Sequence, residues 1–297
     1  MAHSEPVEVQ VSISILSVEE LLPLLGSDEV TIVDCRAPEY YEDAHIPGAV
    51  RLAWEDWCEK PKPPIKQILT SPGYWGALED PERGQFQKRL KKLGVVRDSH
   101  IVVYSSARAS KGREGRIAWM FAYLGAPHVS ILNGGFPAWI DASLPTEQGL
   151  KPAPTGSFEI SLHAERRCVT ADLVSKLNTD EFPLLIDTRS PKEFAGGLFW
   201  YQPRTGRIPG SRLLPFDAVF QPDGKHFVSA QEYATLLPDS FASAKSVATY
   251  CEVGVRAATV ALLHEVYTGQ VLRVYDGSMI EWSMDSRLPV ERGSERS

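Results

Sequence analysis

One cysteine, Cys251, lies in a sequence setting that could make its thiol a nucleophile. Cys251 follows the short apolar run 247–250 and precedes Glu252, Val253, Gly254, Val255 and Arg256, after which a second apolar segment begins. The first run is typical of a buried strand and the second of a helix. We therefore expect Cys251 at a strand-to-helix turn, where Gly254 permits tight curvature.

This turn is predicted to bind anions. Consecutive backbone N–H groups that point inward, ahead of the positive end of a helix dipole, hold negative charge. Arg256 would add a formal positive charge where the helix begins. A cysteine in that setting is favoured as the reactive thiolate. The loop from Glu252 to Val255 would equally hold a persulfide or an oxyanion.

The other three cysteines lack this setting. Cys58 and Cys168 have no glycine loop or basic neighbour, and Cys35 occupies a position where a repeated motif has Thr188. No two cysteines form a Cys-x-x-C pair and no histidine has zinc-site spacing, so neither a disulfide framework nor a metal site is indicated. The sequence predicts no cofactor.

Two copies of one unit make up the chain. Four markers recur in the same order: 31–36 at 184–189, Ile-Pro-Gly 46–48 at 208–210, 101–104 at 247–250, and a glycine turn followed by tryptophan at 133–139 and 275–282. A duplicated unit reveals domain boundaries directly. We predict an N-terminal domain over residues 1–143, a proline-rich linker over 144–156 and a C-terminal domain over 157–297.

Strands and helices alternate within each copy. Short apolar runs predict strands at 30–33, 101–104, 129–132, 184–186, 247–250 and 271–275. Apolar spacing of three and four predicts helices at 85–93 and 116–124, and a further helix is predicted at 257–266. This alternation implies an α/β fold with parallel sheets covered on both faces. Ligands bind such sheets beyond the carboxyl ends of the strands, where Cys251 is expected.

The charge balance excludes one class of partner. The chain has 31 basic and 38 acidic residues and a net charge of −7, which argues against non-specific nucleic-acid binding. No apolar run approaches the roughly 20 residues that span a bilayer. The start lacks the features of a signal or transit peptide, so a cytoplasmic location is expected. No oligomeric state is indicated.

The ordered motifs resemble those of tandem-domain rhodaneses, which include thiosulfate and 3-mercaptopyruvate sulfurtransferases. The motifs are Asp-x-Arg, Ile-Pro-Gly, Tyr-Cys-x-x-Gly-x-Arg and the glycine turn before tryptophan, and the resemblance runs from about Leu16 to Val290. It implies two domains, each a mainly parallel five-stranded sheet between helices. The first is expected to be inactive, because Ser105 stands where the second has Cys251.

The resemblance also implies a mechanism. Cys251 would take a sulfur atom from a small anionic donor such as thiosulfate and pass it, as a persulfide, to cyanide or a thiol acceptor. Arg256 would bind the anion, and Arg204 and then Arg207 are the choices for the substrate-binding arginine that the family draws from this segment. The pairs Asp34/Arg36 and Asp187/Arg189 are expected to be structural ion pairs. The basic run Arg108, Lys111 and Arg113 is expected at the interdomain cleft or in solvent.

Several alternatives remain. The loop lacks the early glycine and the threonine of a mercaptopyruvate sulfurtransferase loop, and Glu252 stands where thiosulfate-preferring members often carry a basic residue. Because the loop departs from both types, it does not decide the donor. The donor could be 3-mercaptopyruvate instead of thiosulfate, or the protein could be a sulfur carrier that does not turn over. A phosphatase is disfavoured, because its Cys-x5-Arg loop is one residue longer than the segment from Cys251 to Arg256.

Overall fold

The computed structural model describes residues 10–61, 75–82, 85–149, 155–197 and 202–293. Within them lie two five-stranded sheets. The first contains β1 (Ser12–Leu16), β2 (Val30–Asp34), β3 (Val50–Arg51), β4 (His100–Tyr104) and β5 (His128–Leu132). The second contains β6 (Arg167–Cys168), β7 (Leu184–Asp187), β8 (Arg212–Leu213), β9 (Val247–Tyr250) and β10 (Arg273–Tyr275). The predicted α/β class with two five-stranded sheets is confirmed.

The two sheets share one topology. The strand orders are β1-β5-β4-β2-β3 and β6-β10-β9-β7-β8, and the neighbouring strands pair in parallel. The register agrees as well, because Asp34 lies opposite Tyr104 in the first sheet and Asp187 lies opposite Tyr250 in the second. The sequence repeat is therefore a repeat of structure at the level of single residue pairs.

Helices accompany both sheets. The first set is α1 (Val18–Leu21), α2 (Pro38–Asp43), α3 (Phe86–Lys92), α4 (Arg113–Tyr123) and α5 (Gly135–Asp141). The second set is α6 (Thr170–Lys176), α7 (Pro191–Phe194), α8 (Ala230–Leu236), α9 (Val255–Thr268) and α10 (Ser278–Met284). No helix in the described ranges is long and apolar enough to cross a membrane. The three predicted helices correspond to α3, α4 and α9, with ends shifted by one to three residues.

Buried ion pairs close the turns after β2 and β7. Arg36 Nη2 lies 2.6 Å from Asp34 Oδ2, and Arg189 Nη2 lies 2.7 Å from Asp187 Oδ2. Each arginine also donates from its backbone N–H to the same aspartate. These contacts agree with the structural role expected for both pairs.

The largest hydrophobic cluster joins the two domains. It contains side chains from both sheets and from α4 and α9, including Trp119 and Leu262. The two helices approach so closely that a methyl group at Gly115 of α4 would overlap the side chain of Thr259 of α9. Because α4 follows β4 and α9 follows β9, the two equivalent strand-to-helix turns are held against one another.

Candidate functional site

A cleft of about 810 Å³ lies between the two domains. Cys251 borders it, although the cysteine itself is 0% exposed. The walls come from both domains and combine apolar with charged side chains: Trp54, Ser110, Lys111 and Arg113 from the first, and Glu193, Phe216, Asp217, Glu252, Val253, Val255 and Arg256 from the second. The predicted loop residues Glu252, Val253 and Val255 are thus brought to one cavity with Cys251.

The start of α10 fixes the loop that carries Cys251. The Cys251 N–H donates to Ser278 Oγ at 3.1 Å, and the N–H groups of Met279 and Ile280 donate to the carbonyl oxygens of Cys251 and Glu252 at 3.1 and 3.0 Å. Both ends of the Cys251 peptide unit are therefore tied to another element. This geometry gives the sulfur a defined position at the positive end of the α9 dipole.

Gly254 allows the loop to close. Its φ is +76°, and a methyl group there would lie 2.7 Å from the Asp276 backbone and 2.8 Å from Arg116 Nη1. Arg116 belongs to the first domain, is fully buried, and donates from Nη2 to the Gly76 carbonyl oxygen at 2.5 Å. Arg116 of the first domain thus lies against the Cys251 loop at Gly254. Other residues of the first domain face the loop across the cleft.

Arg256 reaches the cleft but is already engaged. Its Nη1 and Nη2 donate to the two carboxylate oxygens of Glu193 at 2.9 and 2.7 Å, and Glu252 Oε2 lies 3.8 Å from Nη2. Burial acts to lower the pKa of Arg256, but the opposing effect of Glu193, Cys251 and Glu252 is larger and raises the pKa above its ordinary value. The guanidinium therefore stays charged. Burial likewise acts to raise the pKa of Glu193, which the Arg256 hydrogen bonds bring down to about 2.

Sequence reasoning missed Glu193 as a cleft residue. The spacing Ser190-x-x-Glu193 could have predicted the capping box at the start of α7. Nothing in the sequence indicates that this carboxylate meets Arg256, because the two are 63 residues apart.

Arg204 and Arg207, the predicted substrate-binding arginines, do not line the cleft, and their guanidinium groups contact other parts of the chain. Arg204 donates to four backbone carbonyl oxygens that include those of Trp282 and Asp285, near the end of α10. Arg207 donates to Glu291 Oε1 at 2.7 Å and to the Gly293 carbonyl oxygen at 2.5 Å. Both guanidinium groups therefore hold the C-terminal segment in place.

The repeat explains Arg207. His45, its counterpart in the first domain, exchanges backbone hydrogen bonds with Glu147, and Arg207 makes the same two bonds with Glu291. The position before Ile-Pro-Gly thus anchors the segment that follows each domain's last helix.

The corresponding loop of the first domain is built differently. Ser105 takes the position of Cys251, since its carbonyl oxygen accepts the Phe136 N–H at 2.8 Å as that of Cys251 accepts Met279. The first loop spans residues 105–112 and includes a 3-10 turn, Ala107–Ser110, whereas the second spans 251–254. Of the basic run, Lys111 and Arg113 line the cleft.

The remaining cysteines are buried and free. Burial raises the pKa of Cys35 well above its ordinary value, that of Cys58 to about 11 and that of Cys168 to about 12. Their thiols stay protonated near neutral pH, so they are poor nucleophiles. Among the residues that the structure describes, no cluster of three or more His, Cys, Asp or Glu side chains could hold a metal ion.

Comparisons with known proteins agree with this geometry. The sequence model of the rhodanese-like domain matches residues 17–142 and 170–285. A thiosulfate sulfurtransferase of Corynebacterium glutamicum is 28% identical over 293 residues, which cover 94% of this chain and 90% of that protein. A sulfur carrier protein of Thermus thermophilus is 27% identical over 271 residues, covering 86% and 88%.

The fold has close counterparts among solved structures. An Escherichia coli crystal structure, described as a 3-mercaptopyruvate sulfotransferase with the rhodanese fold, superposes with a TM-score of 0.73. The match covers 90% of this chain and 99% of that one, at 24% identity.

Proposed function

This chain belongs to the family of proteins built from rhodanese-like domains, and from that premise we propose that it is a sulfurtransferase whose Cys251 carries sulfur as a persulfide. The observation that carries the proposal is the position of Cys251 in the short turn before α9, beside the interdomain cleft. The relative named thiosulfate sulfurtransferase supports thiosulfate as the donor.

The reaction is two successive displacements at sulfur. The Cys251 thiolate attacks the outer sulfur of thiosulfate, a new S–S bond forms, and sulfite leaves with the electrons of the bond that breaks. Cyanide or a thiolate then attacks the outer sulfur of the persulfide and leaves as thiocyanate or as a new persulfide. The Cys251 thiolate is regenerated, so atoms and electrons balance. Double displacement through a covalent intermediate predicts ping-pong kinetics.

The residues around Cys251 have distinct parts in this proposal. The dipole of α9 and the charge of Arg256 would stabilise the negative charge of the donor and of the departing sulfite. Val253, Val255 and Phe216 supply apolar walls, and excluding water protects a reactive intermediate. We propose that residues 157–297 are the catalytic domain and that residues 1–143 supply the opposite wall.

Intact mass spectrometry tests the assignment. After incubation with thiosulfate, the protein should gain the mass of one sulfur atom, and Cys251→Ala should gain none. Cys35→Thr is the matched control, because the second copy has Thr188 at the equivalent position. Sulfur loading that survives Cys251→Ala would rule out the assignment.

A sulfur carrier is the second candidate, because one relative has that name and because the Glu252 carboxylate, 3.8 Å from Arg256, would repel an anionic donor bound there. A carrier would load one sulfur from thiosulfate yet fail to produce thiocyanate repeatedly with cyanide. An enzyme should complete many turnovers under the same conditions. Comparing thiosulfate with 3-mercaptopyruvate in this assay decides the donor.

A further inference from the structure

One guanidinium group faces two carboxylates beside Cys251. Both terminal nitrogens of Arg256 are bound to Glu193, and Glu252 lies within 3.8 Å of one of them. The Arg256 and Glu193 side chains are only 16% and 8% exposed. Bidentate pairing is also the geometry by which an arginine recognises the oxygen atoms of an anion. Glu193 therefore occupies the donors that an anionic substrate would use.

Glu193 is held in place by more than Arg256. It is the third residue of α7, where its carboxylate accepts the N–H and Oγ–H of Ser190 at 2.9 and 2.7 Å. Its own N–H donates to Ser190 Oγ at 3.3 Å. Moving the carboxylate out of the cleft would break these bonds, so an incoming anion has to share Arg256 with it.

We propose that Glu193 is a specificity-determining residue: it competes with anionic sulfur donors for Arg256 and so weakens the binding of the most highly charged ones. The proposal deepens the sulfurtransferase function and rests on it. Specificity of this kind comes from a built-in repulsive element rather than from an added contact. We expect Glu193 to change the KM for the donor rather than kcat, because it competes with the donor in the binding step and not in the sulfur-transfer step.

Glu193→Gln is the decisive variant. Glutamine keeps the length and the capping position but removes the charge, so Arg256 becomes available. We expect the KM for thiosulfate, with two negative charges, to fall roughly tenfold, as expected when a charged hydrogen-bond competitor is removed. The KM for methanethiosulfonate, with one charge, should fall less, and kcat should change little.

Glu232→Gln is the matched control. Glu232 is the third residue of α8 and forms the same capping box with Ser229, but it does not line the cleft. Its replacement should leave both KM values unchanged. The same fall in KM for this control would assign the effect to helix capping and overturn the proposal.

A second measurement separates this proposal from the proposed function. Calorimetry can measure thiosulfate binding to Cys251→Ala with and without Glu193→Gln, where no turnover is needed. Tighter binding in the double variant supports a role for Glu193 even if the enzyme assignment fails. An unchanged or weaker affinity overturns that role even if Cys251-dependent turnover is found.

The role of Arg256 is tested by a double-mutant cycle. Glu193→Gln should lose its effect on thiosulfate KM in an Arg256→Gln background, because no guanidinium remains to be released. An equal fall in KM in both backgrounds would show that Glu193 acts without Arg256. Melting curves of each variant check that the compared proteins are folded.

Discussion

The two strand-to-helix turns of this protein have the same surroundings and different contents. Ser105 and Cys251 follow equivalent strands, and their carbonyl oxygens accept an N–H at the start of α5 and of α10, respectively. One turn has eight residues and a 3-10 segment, whereas the other has four. The same scaffold therefore accommodates turns that differ in length and in the side chain that follows the strand.

The long turn and the first residue of α4 line the cleft. Ser110, Lys111 and Arg113 border the cleft opposite Cys251, and Arg113 is held by Glu55 at 2.7 Å. The first domain thus supplies a charged wall to the site of the second. The comparison predicts that the two turns cannot exchange roles, which the following substitutions test.

The largest effect is expected from moving the thiol. Ser105→Cys in a Cys251→Ala background should remain at least about a thousandfold below the wild type, as expected for an enzyme without its nucleophile. Ser105 is buried and lies outside the cleft lining. Thiocyanate production and intact mass measure the result. Sulfur loading at the substituted position would show that the short turn is dispensable.

Gly254→Ala should have the next largest effect. The added methyl group meets the Asp276 backbone at 2.7 Å in a left-handed conformation, so we expect a loss of about 2–4 kcal/mol in the free energy of unfolding. Activity should fall about ten- to a hundredfold, because the Cys251 loop must shift. Urea unfolding and steady-state kinetics measure both effects.

Gly269→Ala separates the backbone strain of a positive φ from the steric overlap of the added methyl group. Gly269 ends the same helix with φ +74° but has no atom within 4 Å of an added methyl group. Its replacement should cost only about 1 kcal/mol and leave activity intact. Equal losses in the two variants would contradict the role given to Gly254.

A pH effect is expected at the start of α4, where Glu114 binds Ser110 of the long turn. Burial raises the pKa of Glu114, which accepts the Ser110 hydroxyl at 2.5 Å, from its ordinary 4.5 to about 7. Between these values the folded protein keeps a proton that the unfolded chain releases. This contribution to stability is therefore full below pH 4.5 and is lost as the pH rises through 7, by up to about 3 kcal/mol.

Glu114→Gln should remove that loss. We expect the variant to be more stable than the wild type by about 1–3 kcal/mol at pH 8 and to differ little at pH 4.5. Urea unfolding at both pH values gives the difference, with the exposed Glu39→Gln as control. A wild type that is not destabilised relative to Glu114→Gln at pH 8 would contradict the raised pKa.

The smallest effect is expected at the mouth of the cleft. Lys111 lies 3.8 Å from Asp217 of the other domain, and both are well exposed. Lys111→Ala should raise the KM for thiosulfate about twofold at low ionic strength and leave it unchanged at high salt, because exposed charges are screened. Lys92→Ala, on α3 away from the cleft, should leave the KM for thiosulfate unchanged at both ionic strengths.

Much of the fold and the centre of the site could be predicted from the sequence. Runs such as Ile101 to Val103 are buried on both faces, and such strands read as continuous apolar segments. β3 and β8 have two residues each, too few to show any period. β1 was missed although Ser12 to Ile15 alternate, which is the pattern of a half-buried strand.

The positions of the three candidate arginines differ in how far the sequence predicts them. Arg256 is adjacent to the nucleophile in sequence, so its arrival at the cleft follows from local geometry. The positions of Arg204 and Arg207 depend on contacts with residues more than 75 positions away, and nothing local encodes these. Glu193 belongs to the same class, because its helix cap is local and its partner is not.

The contact between Gly115 and Thr259 has a consequence for separating the two halves of the chain. No side chain fits at Gly115 unless α9 moves, and moving α9 would displace the turn before it, which carries Cys251. Because α4 and α9 share one hydrophobic cluster, a chain cut before residue 157 would expose the face of α9 that α4 covers. The first copy thus supports the turn that carries Cys251, although its own thiols, Cys35 and Cys58, lie outside the cleft lining.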